Sequence, residues 1–340
     1  MNLKRFSSVI VLSSALALVP ASGATAATVS QDSGKAAGKA ARDYWTPKRM
    51  RAAELLTVDR AAAPSQLSSP GLNALAQPSD TTGPARISPA TSRPGTPPVG
   101  RGAGRIVAPD FLSGQVPPEA MTTYPYSANG RIFGSFGRAG NYSCSGTVVA
   151  SGSRSVVLTA GHCLHDRNYG WAKRIVFVPA YLNGAAPFGT WSVGRKVVTR
   201  GWFRTENFHG DYGAVKLSGP NGIIGDVVGQ EGVTWSLPRE QIFQAIGYPQ
   251  NRGETELMWN CISASAGEDP LDRTRGAPDT GIGCDMGGGS SGGGWTVRDQ
   301  LGNTFVNGVT SYGYKRLRNI LFSPYFNGKV IQIVNQADAG

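Results

Sequence analysis

Residues 143 to 163 read Ser-Cys-Ser-Gly-Thr-Val-Val-Ala-Ser-Gly-Ser-Arg-Ser-Val-Val-Leu-Thr-Ala-Gly-His-Cys. The valines and leucine predict two short apolar strands joined by a turn around residues 151–154. A bridge between Cys144 and Cys163 would fix the loop that carries His162 to the preceding strand. A general base must be held within hydrogen-bond reach of its partner, so a fixed histidine suits acid–base chemistry. The alternative is a surface histidine beside a structural disulfide.

A second motif is the glycine-rich run around two serines, Cys-Asp-Met-Gly-Gly-Gly-Ser-Ser-Gly-Gly-Gly-Trp at residues 284–295. Glycines permit unusual dihedral angles and a close approach of a ligand to the backbone. The amides of Gly289 and Ser291 could converge on one negatively charged oxygen. The alternative is a flexible linker. The run is short, however, and a cysteine, a tryptophan and a strand pattern enclose it.

A third motif places Asp211 directly before the apolar segment Ala214–Leu217. A carboxylate at the start of a buried strand can orient an imidazole and favour its protonated form. By itself, an aspartate before a strand is usually a turn residue. The motif therefore gains its meaning from the histidine and serine motifs on either side.

Together these motifs resemble the chymotrypsin-like serine peptidases, especially their bacterial secreted branch that includes glutamyl endopeptidases. The resemblance covers roughly residues 124–330, and the order histidine, aspartate, serine matches the chymotrypsin arrangement. It implies an all-β fold of two antiparallel six-stranded barrels with the active site between them. It also implies a catalytic triad of His162, Asp211 and Ser291, with an oxyanion hole formed by the amides of Gly289 and Ser291.

Ser291 is preferred to Ser290 as the nucleophile because only Ser291 is followed directly by two glycines, as in the family. Ser290 stands where many relatives carry an aspartate that pairs with the new N-terminus after activation. Arg105-Ile106-Val107 looks like such an activation sequence. We therefore expect that removal of the N-terminal segment unblocks the enzyme without that ion pair.

Two glycines also depart from the family pattern. Gly294 replaces the usual proline, which should loosen the exit from the serine loop. Gly161 replaces a commoner alanine, and it leaves the assignment of His162 unchanged because glycine fits wherever alanine does.

The resemblance extends to substrate binding. Ser311, Tyr312 and Gly313 resemble the strand edge that pairs with a substrate backbone and walls the primary pocket. Asp285, six residues before Ser291, is a candidate for the floor of a pocket for Lys or Arg; the alternative is that it hydrogen-bonds local backbone. Thr310 occupies the position where the glutamyl branch usually has a histidine, so the residues alone do not support glutamyl specificity.

The chain begins with a pattern typical of a secretory signal peptide over residues 1–26: Lys4 and Arg5, an apolar run, then small residues. Residues 27–105 are rich in Ala, Ser and Pro and predict a largely disordered pro-segment, with local helix over Tyr44–Arg60. Residues 106–340 predict the peptidase domain, with its barrels over about 106–225 and 226–340. Near the C-terminus, residues 328–336 predict either a closing strand or a helix.

Charge and cysteine content constrain the partners. Residues 27–105 carry 11 basic and 5 acidic residues, against 20 and 17 in residues 106–340, so much of the net charge of +11 lies in the pro-segment. The scattered charge and the expected export argue against a nucleic-acid partner. Four cysteines without a C-x-x-C unit favour two structural bridges, which we expect to be Cys144–Cys163 and Cys261–Cys284.

These features predict a secreted monomeric serine endopeptidase that acts on proteins or peptides and has no membrane association in its mature form. No cofactor or metal is expected, and His165 and His209 are interpreted as loop residues rather than ligands. One alternative is the same catalyst with glutamyl specificity. Another is an exported homologue that has lost catalysis and acts as a binding protein.

Overall fold

The computed structural model describes residues 27–56, 59–60, 93–94, 108–219, 221–252, 256–272, 274, 276–315 and 317–340. The expected signal peptide and the Arg105-Ile106-Val107 sequence lie outside these ranges. Within them, no helix is long and apolar enough to cross a membrane.

Strands dominate the chain. In order they are β1 (Thr28–Asp32), β2 (Glu54–Leu55), β3 (Asp59–Arg60), β4 (Arg93–Pro94), β5 (Phe111–Gln115), β6 (Asn129–Ser135), β7 (Asn141–Val149), β8 (Val156–Thr159), β9 (His165–Asp166), β10 (Gly170–Trp171), β11 (Lys173–Pro179), β12 (Trp191–Thr199), β13 (Gly213–Ser218), β14 (Gly232–Trp235), β15 (Ile242–Gly247), β16 (Trp259–Glu268), β17 (Thr280–Gly283), β18 (Gly294–Arg298), β19 (Thr304–Val309), β20 (Tyr312–Tyr314) and β21 (Leu317–Ser323). The helices are α1 (Lys35–Tyr44), α2 (Pro47–Arg51), α3 (Pro118–Met121), α4 (Arg200–Thr205), α5 (Ile224–Val228) and α6 (Lys329–Asp338). Short 3-10 turns cover Tyr126–Ala128, Gly137–Ala139, Gly161–Cys163 and Phe208–Gly210.

The first half of the domain is a closed antiparallel barrel. Its strand order is β12-β11-β6-β7-β8-β13, and pairing between β12 and β13 closes the circle. Alternate residues of each strand point inward and fill the interior, as a barrel of this size requires. These inward side chains are buried and include Ile132, Val148, Val157, Phe177, Trp191 and Val215.

The second half is one sheet that runs β20-β21-β17-β16-β15-β18-β19. Only two residues separate β19 from β20, so residues 304–314 pair with β18 at their start and with β21 at their end. This continuous segment therefore links the two ends of the strand order, so that the sheet curves into a barrel-like form. The all-β, chymotrypsin-like fold expected from the sequence is confirmed, and each half supplies part of the site between them.

The C-terminal segment is a helix, the alternative that the sequence left open beside a strand. Its buried residues, Val330, Ile333, Val334 and Ala337, follow the i, i+3, i+4, i+7 spacing of one helical face. This face packs against β12 and β13 of the first barrel. The helix therefore joins the two halves from outside.

The expectation of a largely disordered N-terminal segment is wrong for residues 27–56. Strand β1 pairs antiparallel with residues 195–199 of β12, and α1 packs on β11 and β12. Trp45 is 4% exposed, and its indole N–H donates to the Arg174 carbonyl at 2.6 Å. Gly38 allows the close approach, because a Cβ there would lie 2.9 Å from Ser192 Oγ. The small residues of this segment thus allow it to pack closely on the first barrel. In the sequence, the abundance of the same residues had indicated disorder.

Candidate active site

His162 lies in the 3-10 turn between β8 and β9, at the surface of the first barrel that faces the second. The structure contains the Cys144–Cys163 bridge, which ties this turn to β7. The Tyr142 hydroxyl also donates to the Cys163 carbonyl. The imidazole is 5% exposed. A disulfide and a side-chain hydrogen bond therefore restrain the residue next to the histidine.

Asp211 is fully buried and accepts three hydrogen bonds. Its Oδ2 lies 2.7 Å from His162 Nδ1 and 2.5 Å from Ser311 Oγ, and its Oδ1 accepts the His162 amide at 2.7 Å. With the carboxylate on this side of the ring, Nδ1 carries the proton and Nε2 is free to accept one. The arrangement suits a neutral histidine that acts as a general base.

Ser291 lies in the glycine-rich loop between β17 and β18, and its side chain is 5% exposed. The neighbouring Ser290 is 1% exposed, and its hydroxyl donates to the Gly287 carbonyl at 2.6 Å. Gly289 and Gly292 both have positive φ, +91° and +79°. These angles are costly for residues with a Cβ and explain the glycines around the serine. Both serines line the cavity beside the loop, but the Ser290 hydroxyl is already bonded to the loop backbone.

Ser145 of β7 joins the serine loop to the histidine turn. Its amide donates to the Ser291 carbonyl at 2.7 Å, and its hydroxyl donates to the Gly289 carbonyl at 2.9 Å. Because Cys144 is bonded to Cys163, the same strand holds both the histidine turn and the serine loop. Among the described residues, the amides of Gly289 and Ser291 have no hydrogen-bond partner. An oxyanion hole is built from backbone amides of this kind.

The structure explains why Gly161 and Gly294 depart from the family pattern, which the sequence did not reveal. A Cβ on Gly161 would lie 2.9 Å from the Trp202 ring, so an alanine would not fit here. Gly294 does not loosen the loop. Its amide donates to Thr147 Oγ1 at 3.2 Å, which proline could not do, and a Cβ would lie 2.6 Å from the same oxygen.

A cavity of about 250 Å³ adjoins Ser291. It is lined by the serine loop on one side and by Thr310, Ser311, Tyr312, Gly313, Leu317 and Arg318 on the other. The structure thus brings the expected substrate-strand residues to the cavity. The Thr310 hydroxyl accepts the indole N–H of Trp295 at 2.9 Å.

Asp285 also lines the cavity, but its carboxylate has protein partners. Ser113 donates to Oδ1 at 2.6 Å, and the Arg252 guanidinium forms an ion pair with Oδ2. The backbone carbonyl of Asp285 accepts a hydrogen bond from Asn251. The second disulfide, Cys261–Cys284, fixes the adjacent residue. A carboxylate occupied in this way is a poor partner for a substrate cation.

The sequence did not reveal a buried polar network close to Asp211. His209 Nδ1 lies 2.8 Å from Asp279 Oδ1, and the Tyr312 hydroxyl donates to Asp279 Oδ2 at 2.9 Å. The hydroxyls of Tyr312 and Tyr314 both donate to Asp269 Oδ2 at 2.7 Å. The network connects the turn before Asp211 to the substrate strand. The proximity of His209 to Asp211 in sequence was the available signal.

His209 makes this network dependent on pH. Burial opposes its charge, but the hydrogen bond to Asp279 and the charges of Asp279 and Asp272 raise the pKa of His209 above 6.5. A raised folded-state pKa adds stability below the unfolded pKa, and this stability is lost as pH rises through the folded value. We therefore expect His209→Asn to lower the free energy of unfolding by about 1–3 kcal/mol at about pH 5.5, and by less at about pH 8.5.

Urea unfolding at the two pH values tests this, with His165→Asn as the matched control. Burial lowers the pKa of His165, so its contribution to stability has the opposite slope, and its replacement should be more harmful at the higher pH. An equal loss for His209→Asn at both pH values would contradict the assignment.

Metal ligation was not expected from the sequence. Among the described residues, ligand atoms of His209, Asp272 and Asp279 lie within 4.8 Å of one another. Both nitrogens of His209 already have partners in Asp279 and Thr274. The other groups with suitable spacing contain the disulfide-bonded cysteines.

No family profile matches the chain. Two curated proteins match part of it. It is 33% identical over 114 residues to the extracellular metalloprotease of Bacillus subtilis (strain 168), and 35% identical over 116 residues to the glutamyl endopeptidase of Bacillus licheniformis. The matches cover 33% and 34% of this chain, and 34% and 33% of those proteins. The chain thus spans about a third of the length of these curated relatives.

Solved structures match more completely. The protease Anisep from Arthrobacter nicotinovorans is 33% identical, with 63% of this chain and 96% of that chain covered at a TM-score of 0.57. The thermostable serine protease AL20 from an extremophilic microorganism is also 33% identical, with 66% and 99% covered at a TM-score of 0.57. A Glu endopeptidase at 21% identity and a TM-score of 0.52, with 67% and 97% covered, shares the fold. One curated relative is named a metalloprotease, but the fold agrees with the solved protease structures at 33% identity. The chain belongs to the chymotrypsin-like serine proteases, endopeptidases that hydrolyse peptide bonds.

Proposed function

We propose that this chain is a secreted serine endopeptidase in which Ser291 is acylated by the substrate, His162 is the general base and Asp211 orients it. The observation that carries the proposal is the carboxylate of Asp211, fully buried yet bonded to the imidazole, to its backbone amide and to Ser311. A buried carboxylate is costly unless its hydrogen bonds are satisfied, so this arrangement indicates a built site.

The proposed reaction balances without a cofactor. His162 Nε2 accepts the Ser291 hydroxyl proton as Oγ bonds to the substrate carbonyl carbon. The amides of Gly289 and Ser291 hold the resulting oxyanion, and His162 then protonates the departing amine as the C–N bond breaks. Water, deprotonated by His162, cleaves the acyl-enzyme and restores Ser291.

Maturation is part of the proposal. The Ser290 side chain is neutral and donates to Gly287, so it offers no carboxylate to a new N-terminal ammonium. We expect cleavage near residue 105 to release the N-terminal segment without forming an activating ion pair there. Export is supported by the signal-peptide pattern of residues 1–26.

A phosphonylating probe that reacts with activated serines tests the catalytic assignment. The chain freed of its N-terminal segment should be labelled at Ser291, as located by mass spectrometry, and should cleave peptides. A correctly folded chain that neither reacts with the probe nor cleaves any member of a peptide library would support the binding-protein alternative. The monomeric state remains a prediction for light scattering.

The cavity favours one refinement, a preference for acidic residues. The Asp285 carboxylate already pairs with Arg252, which leaves Arg318 as the charged lining residue available to a ligand among those described. A curated relative is named glutamyl endopeptidase. Thr310, however, offers no imidazole to a carboxylate, so the preference is a second candidate beside an enzyme of broader specificity.

Asp285→Asn and Arg318→Ala separate the two pocket charges. If the Asp285 carboxylate is bound by Ser113 and Arg252, Asp285→Asn should leave the ranking of residues at the cleavage site unchanged. Under the acidic preference, Arg318→Ala should lower kcat/KM for glutamyl peptides by about two- to fivefold relative to neutral ones, the scale of one exposed charge contact. Profiling on a peptide library measures both. A strong Lys or Arg preference that Asp285→Asn abolishes would overturn this assignment.

A further inference from the structure

The N-terminal segment reaches the active-site cleft from an anchor on the first barrel. Trp45, Met50 and Ala53 are 3–4% exposed and belong to one apolar cluster with Phe133 and Tyr181. The anchor holds the residues that follow close to the cleft, so they act at a high effective concentration.

Beyond the anchor, the segment contacts both sides of the cleft. Strand β2 pairs in parallel with β7, with Leu55 opposite Ser143. The Ser291 hydroxyl donates to the carbonyl of Leu56 at 3.3 Å, and the Leu56 side chain packs on the first-barrel core. Strand β3 then pairs in parallel with β20, with Asp59 opposite Gly313. The described residues of the segment therefore contact β7, Ser291 and β20 in that order along the chain.

Its direction is opposite to that of a peptide that can be cleaved. In acyl transfer, the residue before the scissile bond becomes bonded to the serine. When that substrate residue places its side chain in the cavity beside Ser291, the substrate residues before it extend along β20 and reach Gly313. In the N-terminal segment, Leu56 lies at Ser291, and the residue beside Gly313 comes after it rather than before it.

The contact also leaves the triad unassembled. The Ser291 hydroxyl is directed to the Leu56 carbonyl oxygen, while His162 Nε2 is buried and has no hydrogen-bond partner among the described residues. A serine that donates its proton to a carbonyl oxygen is not deprotonated by the base. The proton transfer that activates the nucleophile is therefore interrupted.

We propose that residues 54–56 and 59–60 act as a reversed plug, which binds the cleft along the substrate strand in the opposite direction and so inhibits the enzyme without being cut at Leu56. The inference rests on the proposed catalytic role of Ser291. Its placement of the segment can be tested without any activity.

Engineered disulfides in the full chain test the direction. Gly313 has room for a side chain, since its Cβ would lie 3.5 Å from the Ile320 carbonyl oxygen. Asp59→Cys with Gly313→Cys should form a bridge, because these residues are register partners. The matched control is Glu54→Cys with Gly313→Cys, which bridges only if the segment runs in the substrate direction. A bridge in the control, or in neither protein, would overturn the proposal.

The rate of probe labelling at Ser291 in the full chain tests inhibition. Leu56→Glu places a charge in a half-buried site, and Trp45→Ala removes the anchor. Both should raise the labelling rate about tenfold or more by releasing the plug. Lys48→Ala, at an exposed position of the same segment, should not. Equal rates in the wild type and both loosened variants, or a cut between residues 56 and 57, would contradict the plug.

The two proposals can fail separately. If no variant is labelled, even after the segment is removed by proteolysis, the catalytic proposal fails, while the disulfide result still reports where the segment lies. If the freed chain is active but the intact chain is equally active, the catalytic role stands and the plug is wrong.

Discussion

Replacing Ser291 with alanine in the freed chain is expected to lower kcat by roughly 10⁶-fold, the scale of nucleophile loss in serine peptidases of unrelated fold. The neighbouring hydroxyl of Ser290 is poorly placed to replace it, because it donates to the Gly287 carbonyl and the residue is 1% exposed. Ser290→Ala removes only that local hydrogen bond, with an expected loss of stability of about 1 kcal/mol.

Peptide-cleavage kinetics and probe labelling measure this difference. Thermal unfolding of both variants checks that each is folded. Labelling that survives in Ser291→Ala and disappears in Ser290→Ala would identify Ser290 as the nucleophile instead. Loss in both variants, with both folded, would show that the loop acts through its shape rather than through one hydroxyl.

Asp211→Asn is expected to lower kcat by about 10⁴-fold, as the equivalent change does in a well-studied triad. Asp211 accepts from His162 Nδ1, the His162 amide and Ser311 Oγ, and an amide has one acceptor oxygen for these three donors. Its NH₂ group would face a donor or select the wrong histidine tautomer. The base would then present a proton to Ser291 instead of accepting one.

The matched control is Asp226→Asn, which removes a half-exposed ion pair with Arg154. Such pairs contribute about 0–1 kcal/mol, so activity should be retained. The decisive readout is kcat against KM: loss of the tautomer lowers kcat and leaves KM nearly unchanged. A rise in KM alone would assign Asp211 to substrate binding.

The local motifs allowed a good prediction of the first barrel and of the residues around the proposed triad. His162 and Ser291 were identifiable because the residues next to them carry the signal. A cysteine follows His162, and glycines follow Ser291. Asp211 was harder, because its third donor, Ser311, is 100 residues away in the chain. The polar network of His209, Asp279 and Tyr312 crosses between the barrels and leaves no local pattern.

Two parts of the fold escaped prediction for other physical reasons. The strands Thr280–Gly283 and Leu317–Ser323 contain glycines or charged residues and lack a simple alternation of apolar side chains. The N-terminal segment packs its small residues and one tryptophan against a barrel whose strands come later in the chain. Its composition resembles that of a disordered chain because its order comes from that partner surface.

The pairing of β1 with β12 matters for a protein freed of its N-terminal segment. Residues 195–199 of β12 gain their outer partner from the N-terminal segment, and departure of that segment opens a row of backbone donors and acceptors at the barrel seam. Such an edge can recruit another extended chain. We therefore expect concentrated preparations of the freed protein, rather than of the full chain, to be prone to self-association.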